Sequence, residues 1–260
     1  MNILAPSVDA SPEMRLLPIS LSLVAGSADV IGFLGLRGLF VAHITGNLII
    51  LAAHLVTGTR VGVATILSVP VFMSVLILTR LLVAALEAVG RASLRPLLFL
   101  QFLFLAGFLA LGVSAGPHVD PNAATAVLAG MLGVTALAVQ NALVQISISG
   151  APSTAVMTTN LTRLTMDLGE LLLERHSEAA SAARRRAAHT WPSIVAFVAG
   201  AASGAALFAA VALWSLALPT GFGLIAFLVG IDECCDRVSS DQHRHQGRPV
   251  SHNEQTGTGG

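Results

Sequence analysis

Trp191-Pro192-Ser193-Ile194-Val195-Ala196-Phe197-Val198-Ala199-Gly200-Ala201-Ala202-Ser203-Gly204-Ala205-Ala206-Leu207-Phe208-Ala209-Ala210-Val211-Ala212-Leu213-Trp214 decides the fold class. It lies inside a longer run, Ala187 to Ile231, without a single Asp, Glu, Lys or Arg. As one α-helix the two tryptophans would stand about 34 Å apart, which suits aromatic anchors at opposite faces of a bilayer whose apolar core is about 30 Å thick. Gly200 and Gly204 form a GxxxG pattern at its centre, which lets a neighbouring helix approach until backbones nearly touch. Internal packing is the favoured use of that pattern, ahead of a homodimer contact.

The rest of the chain repeats the theme. Val61–Thr79, Pro96–Val119 and Pro121–Thr162 are also free of Asp, Glu, Lys and Arg. Of the 260 residues, 54% are hydrophobic and 11% charged, too few charges to cover a water-facing surface. The apolar character recurs as far as residue 231, so a single cleaved leader does not account for it. The expected fold is an all-α polytopic membrane bundle of six to seven spans, whose first partner is the lipid bilayer. A net charge of zero gives no basic field for nucleic acid. Adjacent Cys234 and Cys235 suit neither a disulfide framework nor a metal site and leave room only for palmitoylation. No H-E-x-x-H or P-loop is present, so neither an enzyme nor a cofactor is expected.

Residues 1–14 and 236–260 read as polar tails around one membrane domain, 15–235. Apolar segments fall at about 16–36, 39–57, 61–86, 96–116, 121–149, 152–173 and 190–218, with a short run at 222–231. The second and sixth carry the most polar residues. Basic residues gather at Arg91 and Arg95, and at Arg175, Arg184, Arg185 and Arg186, and the positive-inside rule wants both groups cytoplasmic. Seven simple crossings would put them on opposite sides. The conflict disappears if 152–173 is a re-entrant or broken element that returns to the side it left.

An internal repeat supports that view. Ile44-Thr45-Gly46-Asn47-Leu48 is echoed by Met157-Thr158-Thr159-Asn160-Leu161 at an offset of 113, and Ser27-Ala28-Asp29 then falls on Gln140-Asn141-Ala142. Two similar halves follow, about 16–86 and 121–218, joined by 96–116, each with a broken Thr-x-Asn element. Their relative orientation, parallel or inverted, stays open.

The residues Leu23-Val24-Ala25-Gly26-Ser27-Ala28-Asp29-Val30-Ile31-Gly32-Phe33, then Gly38-Leu39-Phe40-Val41-Ala42-His43-Ile44-Thr45-Gly46-Asn47, then Gln140-Asn141-Ala142, resemble the YoaK-type family of bacterial membrane proteins of unknown function. The resemblance covers about 16–231 and departs from the family pattern at Thr159, where glycine is usual. It implies a bacterial inner-membrane protein of six or seven spans, loosely regarded as a small-molecule transporter, with no substrate or mechanism attached.

Asp29 is the leading candidate for chemistry, because a carboxylate in an otherwise uncharged span is costly unless it faces protein or water. It would carry a proton or bind a cation; as a structural group it would accept hydrogen bonds from a neighbouring helix. Thr45, Asn47, Thr158 and Asn160 are candidates for a polar solute site near the midplane, or for caps on broken helix ends. Gln140 and Asn141 would face Asp29 across a pseudo-symmetric site, or glue helices together. Arg163 and Asp167, spaced i,i+4, read as a structural ion pair. His43 can take a proton near neutral pH, but His43 and His54 lack metal-ligand spacing. The expected function is secondary transport of a small solute with Asp29 coupling it to protons; a channel or a membrane scaffold is the alternative.

Overall fold

In the computed structural model, which describes residues 12–116, 120, 122–148, 154, 157–173 and 177–230, the elements are helices throughout. They are α1 (Pro12–Gly35), α2 (Ile44–Thr57), α3 (Val63–Ala88), α4 (Leu94–Ser114), α5 (Ala124–Ser147), α6 (Met157–Leu173) and α7 (Glu178–Val211). A 3-10 stretch, Ala212–Leu216, and a helical segment over 217–230 follow. The tails expected at 1–14 and 236–260, and Cys234 and Cys235, lie outside the described residues except for 12–14, which already belong to α1.

Five helical stretches are long and apolar enough to cross a bilayer: Leu16–Gly35, Val63–Ala88, Leu94–Ser114, Ala124–Ser147 and Glu178–Gly230. The distribution of polarity agrees. Met73, Ile77, Leu78 and Leu81 of α3 lie exposed on its outside, whereas Ser22, Asp29, Asn47, Ser68, Gln101, Gln140 and Asn160 are buried. Large apolar side chains on the outside and amides within suit a hydrocarbon solvent, where unpaired polar groups are expensive. The chain is built as an integral membrane protein.

Residue pairs fix the helix directions. Gln140 of α5 bonds the Leu21 carbonyl of α1, and Gly130 lies against Leu36 and Leu39, so α1 and α5 are antiparallel. Ser93 meets Ser147 and Gln101 meets Gln140, so α4 and α5 are antiparallel too. The Val63 amide bonds Asn122 at the start of α5, while Val83 shares a core with Val139 and Leu143, making α3 parallel to α5. Gly200 sits on Leu23 and Gly204 on Ser27, making α7 parallel to α1.

The GxxxG pattern therefore serves internal packing. A Cβ on Gly200 would come within 2.5 Å of the Leu23 carbonyl oxygen, and one on Gly26 within 2.2 Å of that of Phe197. Only glycine lets these two backbones approach so closely.

The unbroken helix from Trp191 to Trp214 is not observed. α7 ends at Val211, and Ala212 takes φ 49° and ψ −134°, a conformation an L-residue adopts only when its surroundings impose it. Beyond the break, Leu216 lies on Gly112, the Thr220 hydroxyl on the Leu105 carbonyl, and Gly230 on Leu98. The 217–230 segment thus runs antiparallel to α4, which is parallel to α7, and the chain has reversed direction. α7 itself is 34 residues long, about 51 Å, so it exceeds a bilayer core by itself. The only other described non-glycine residue with positive φ is Arg37, at 57°. It closes α1 through a Gly38 N–H to Phe33 carbonyl bond of 2.8 Å, the 6→1 bond of a Schellman motif, and occupies the left-handed position where glycine would avoid about 1–2 kcal/mol of strain.

Candidate functional site

Asp29 lies six residues before the end of α1, and the chain turns back along that last stretch of helix to meet it. Its Oδ1 accepts the backbone N–H of Ala42 at 2.7 Å and of His43 at 3.3 Å; Oδ2 lies 2.8 Å from His43 Nδ1. His43 is the N-cap of α2 and offers no side-chain cap of its own. The carboxylate of Asp29 supplies the negative charge at that helix start, where the unpaired amides and the helix dipole favour it. The carboxylate is 7% exposed and the imidazole 38% exposed, so the contact joins a buried group to a partly exposed one. The His43 ring also packs edge-on against Phe197 of α7.

Asn47, the fourth residue of α2, holds the same return loop from the other side. Its Oδ1 accepts the Phe40 amide at 3.0 Å, and its Nδ2 donates to the Phe40 carbonyl at 2.7 Å and to Ser68 Oγ of α3 at 3.0 Å. Both amide protons are spent on protein, which favours the structural reading of Asn47. Ser68 itself is buried and donates to the Thr65 carbonyl.

A second polar connection lies toward the opposite end of the bundle. Gln140, fully buried in α5, donates to the Leu21 carbonyl at 2.9 Å and to Thr154 Oγ1 at 3.0 Å, while its Oε1 accepts Gln101 Nε2 of α4 at 2.8 Å. Thr154 belongs to the connection from α5 to α6, so it stands toward Gln140 as Ala42 stands toward Asp29. Among the described residues, two buried atoms, Gln101 Oε1 and Ser22 Oγ, have no hydrogen-bond partner. Gln101 is the lone amide of the charge-free stretch 96–119, and that isolation was the available signal for it.

Asp29, Asn47 and Gln140 all fall within one matched region: a family described as Protein of unknown function (DUF1275) matches residues 17–229. The chain belongs to this family. Neither a curated protein nor a solved structure matches it.

In this DUF1275 member the remaining predicted residues are scattered. Gln140 bonds at the level of Leu21, eight residues or about 12 Å along α1 from Asp29, so the two do not face each other. Asn160, the fourth residue of α6, is buried and bonds Met157 Sδ at 3.8 Å. Thr45 and Thr158, the second residues of α2 and α6, are exposed. α2 packs on α3 and α6 on α7 rather than on each other, so the two Thr-x-Asn segments do not form one joint cluster. Asn141 is buried. His54, at the far end of α2, bonds Thr59. Among the described residues no three His, Cys, Asp or Glu side chains stand close enough to hold a metal ion.

The expected Arg163–Asp167 pair is replaced by another. Asp167, buried on α6, meets Arg186 of α7 with its Oδ1 2.6 Å from Nη2 and 2.8 Å from Nε, and Arg186 also reaches Glu170 Oε2 at 3.0 Å. Arg163 is exposed. The i,i+4 spacing correctly puts Arg163 and Asp167 one turn apart, but α7 covers the Asp167 side of α6 and brings a second arginine to it.

Proposed function

We propose that this protein is a secondary transporter of a small solute, coupled to protons through Asp29 and His43. The observation that carries the reading is the 2.8 Å contact between a carboxylate in a bilayer-length helix and a partly exposed imidazole at the start of the 14-residue helix α2. Protonation changes the charge that holds α2 in place, and a ligand or proton drives a conformational change only through such a difference between states.

The helix directions support two inverted halves. α1 and α5 run oppositely, each is followed by a segment that returns to a buried polar side chain, and each short helix after it buries an Asn at its fourth position. Exchanging the halves maps the parallel pair α1 and α7 onto α5 and α3, and α4 onto 217–230. The bundle then makes six crossings, α1, α3, α4, α5, α7 and the segment after Ala212, with α2 and α6 as re-entrant elements. Arg91, Arg95 and Arg184–Arg186 fall at one end, which the positive-inside rule assigns to the cytoplasm of a bacterial inner membrane. Inverted halves around broken elements are a recurring design of alternating-access carriers.

The test is uptake into sealed proteoliposomes under an imposed proton gradient, with solutes chosen by a thermal-shift screen of the purified protein. Accumulation above the external concentration, collapsed by an uncoupler, supports the carrier. Flux without accumulation would mean a channel. Ligand binding without flux, or no response to any solute, would leave a membrane scaffold and end the transport reading.

A further inference from the structure

We propose that the cavity where the ends of α1, α4 and α7 meet binds an anionic amphiphile, a carboxylate or phosphate carrying a short apolar body, through Arg37. The proposal stands apart from the transport reading. The cavity has a volume of about 320 Å³, at the small end of ligand sites, and its walls include Leu34, Phe208 and Leu213. The single charged group lining it is the Arg37 guanidinium, for which no described residue serves as ion-pair or hydrogen-bond partner.

The backbone points to the same place. Arg37 and Ala212, the two described non-glycine residues with positive φ, both line this cavity. Arg37 occupies the one position of its helix-ending motif where glycine would be unstrained, and the helix dipole favours a cation there. The surroundings set the ligand class. Trp214, beside Leu213, is 65% exposed, as a side chain at the headgroup level of a bilayer would be. A guanidinium grips carboxylate and phosphate with two parallel N–H bonds, and the apolar walls take up the attached chain.

The experiment uses the full chain in phosphatidylcholine nanodiscs with Trp191→Phe, so that Trp214 is the sole tryptophan reporter beside the cavity. Phosphatidylglycerol is titrated in one arm and hexanoate in the other. Saturable change in Trp214 emission is expected, with apparent affinity at least tenfold weaker in Arg37→Gly and in Arg37→Gln, and Arg37→Gly melting at or above the parent. A response to phosphatidylglycerol alone assigns a lipid ligand, and a response that includes hexanoate assigns a soluble one; either supports the site. No saturable response in the parent, or unchanged affinity in both Arg37 variants, overturns it.

Discussion

Oδ2 of Asp29 lies 2.8 Å from Nδ1 of His43, and the same carboxylate receives the Ala42 amide at 2.7 Å, so one side chain ties α1 to the first turn of α2. Isosteric Asp29→Asn keeps an acceptor for the backbone amides but removes the charge. It should fold and lose gradient-driven accumulation. Asp29→Ala leaves two backbone N–H groups without their acceptor and should lose about 1–3 kcal/mol for each that stays buried. Detergent unfolding measured alongside vesicle uptake separates the two; accumulation at the parent rate in Asp29→Asn would remove Asp29 from coupling.

Asn47→Ala deletes three hydrogen bonds to Phe40 and Ser68 together. The Phe40 amide, its carbonyl and the Ser68 hydroxyl lose their clamp, and a drop of about 2–4 kcal/mol is expected. Thermal unfolding in detergent checks this. A protein that melts like the parent would show that the loop is held elsewhere, and would reopen Asn47 as a solute ligand.

Arg186→Gln should lower the melting temperature, because it leaves buried Asp167 without its cation, whereas Arg163→Gln should leave it unchanged. The double variant Arg186→Gln with Asp167→Asn should recover part of the loss. If Arg163→Gln proved the more damaging, the pairing of α6 with α7 would be misassigned.

Gln140→Leu and Gln101→Leu should differ although they touch. The first strands the Gln101 Nε2 donor and removes the bonds to Leu21 and Thr154, costing about 1–3 kcal/mol. The second strands Gln140 Oε1 but also deletes the unpartnered Gln101 Oε1, so its net effect should be small. Equal losses from the two single variants would show that Gln101 Oε1 has a bound water partner.

Much of this protein is legible in its sequence because the membrane imposes simple rules. Asp29 stands out against an uncharged span, and Asn47 marks the short helix that follows it. Even the basic clusters around Arg91 and Arg184 carry topological information, since their signs conflict with seven crossings. Partners are less legible. Ser68 and Thr154 look like ordinary small polar residues of apolar stretches, and only the fold shows that they complete the contacts of Asn47 and Gln140.

Length without charge determined by itself that this is a helical membrane protein, because a bilayer admits long apolar segments only as helices whose backbone groups are paired internally. The tertiary structure alone decided that Asp167 pairs with Arg186 and that the chain reverses at Ala212. Helical periodicity states which side chains share a face, but not which neighbouring helix will cover that face. Alanine favours helix, so nothing local at Ala212 announces a break; the packing of Leu216, Thr220 and Gly230 along α4 imposes it.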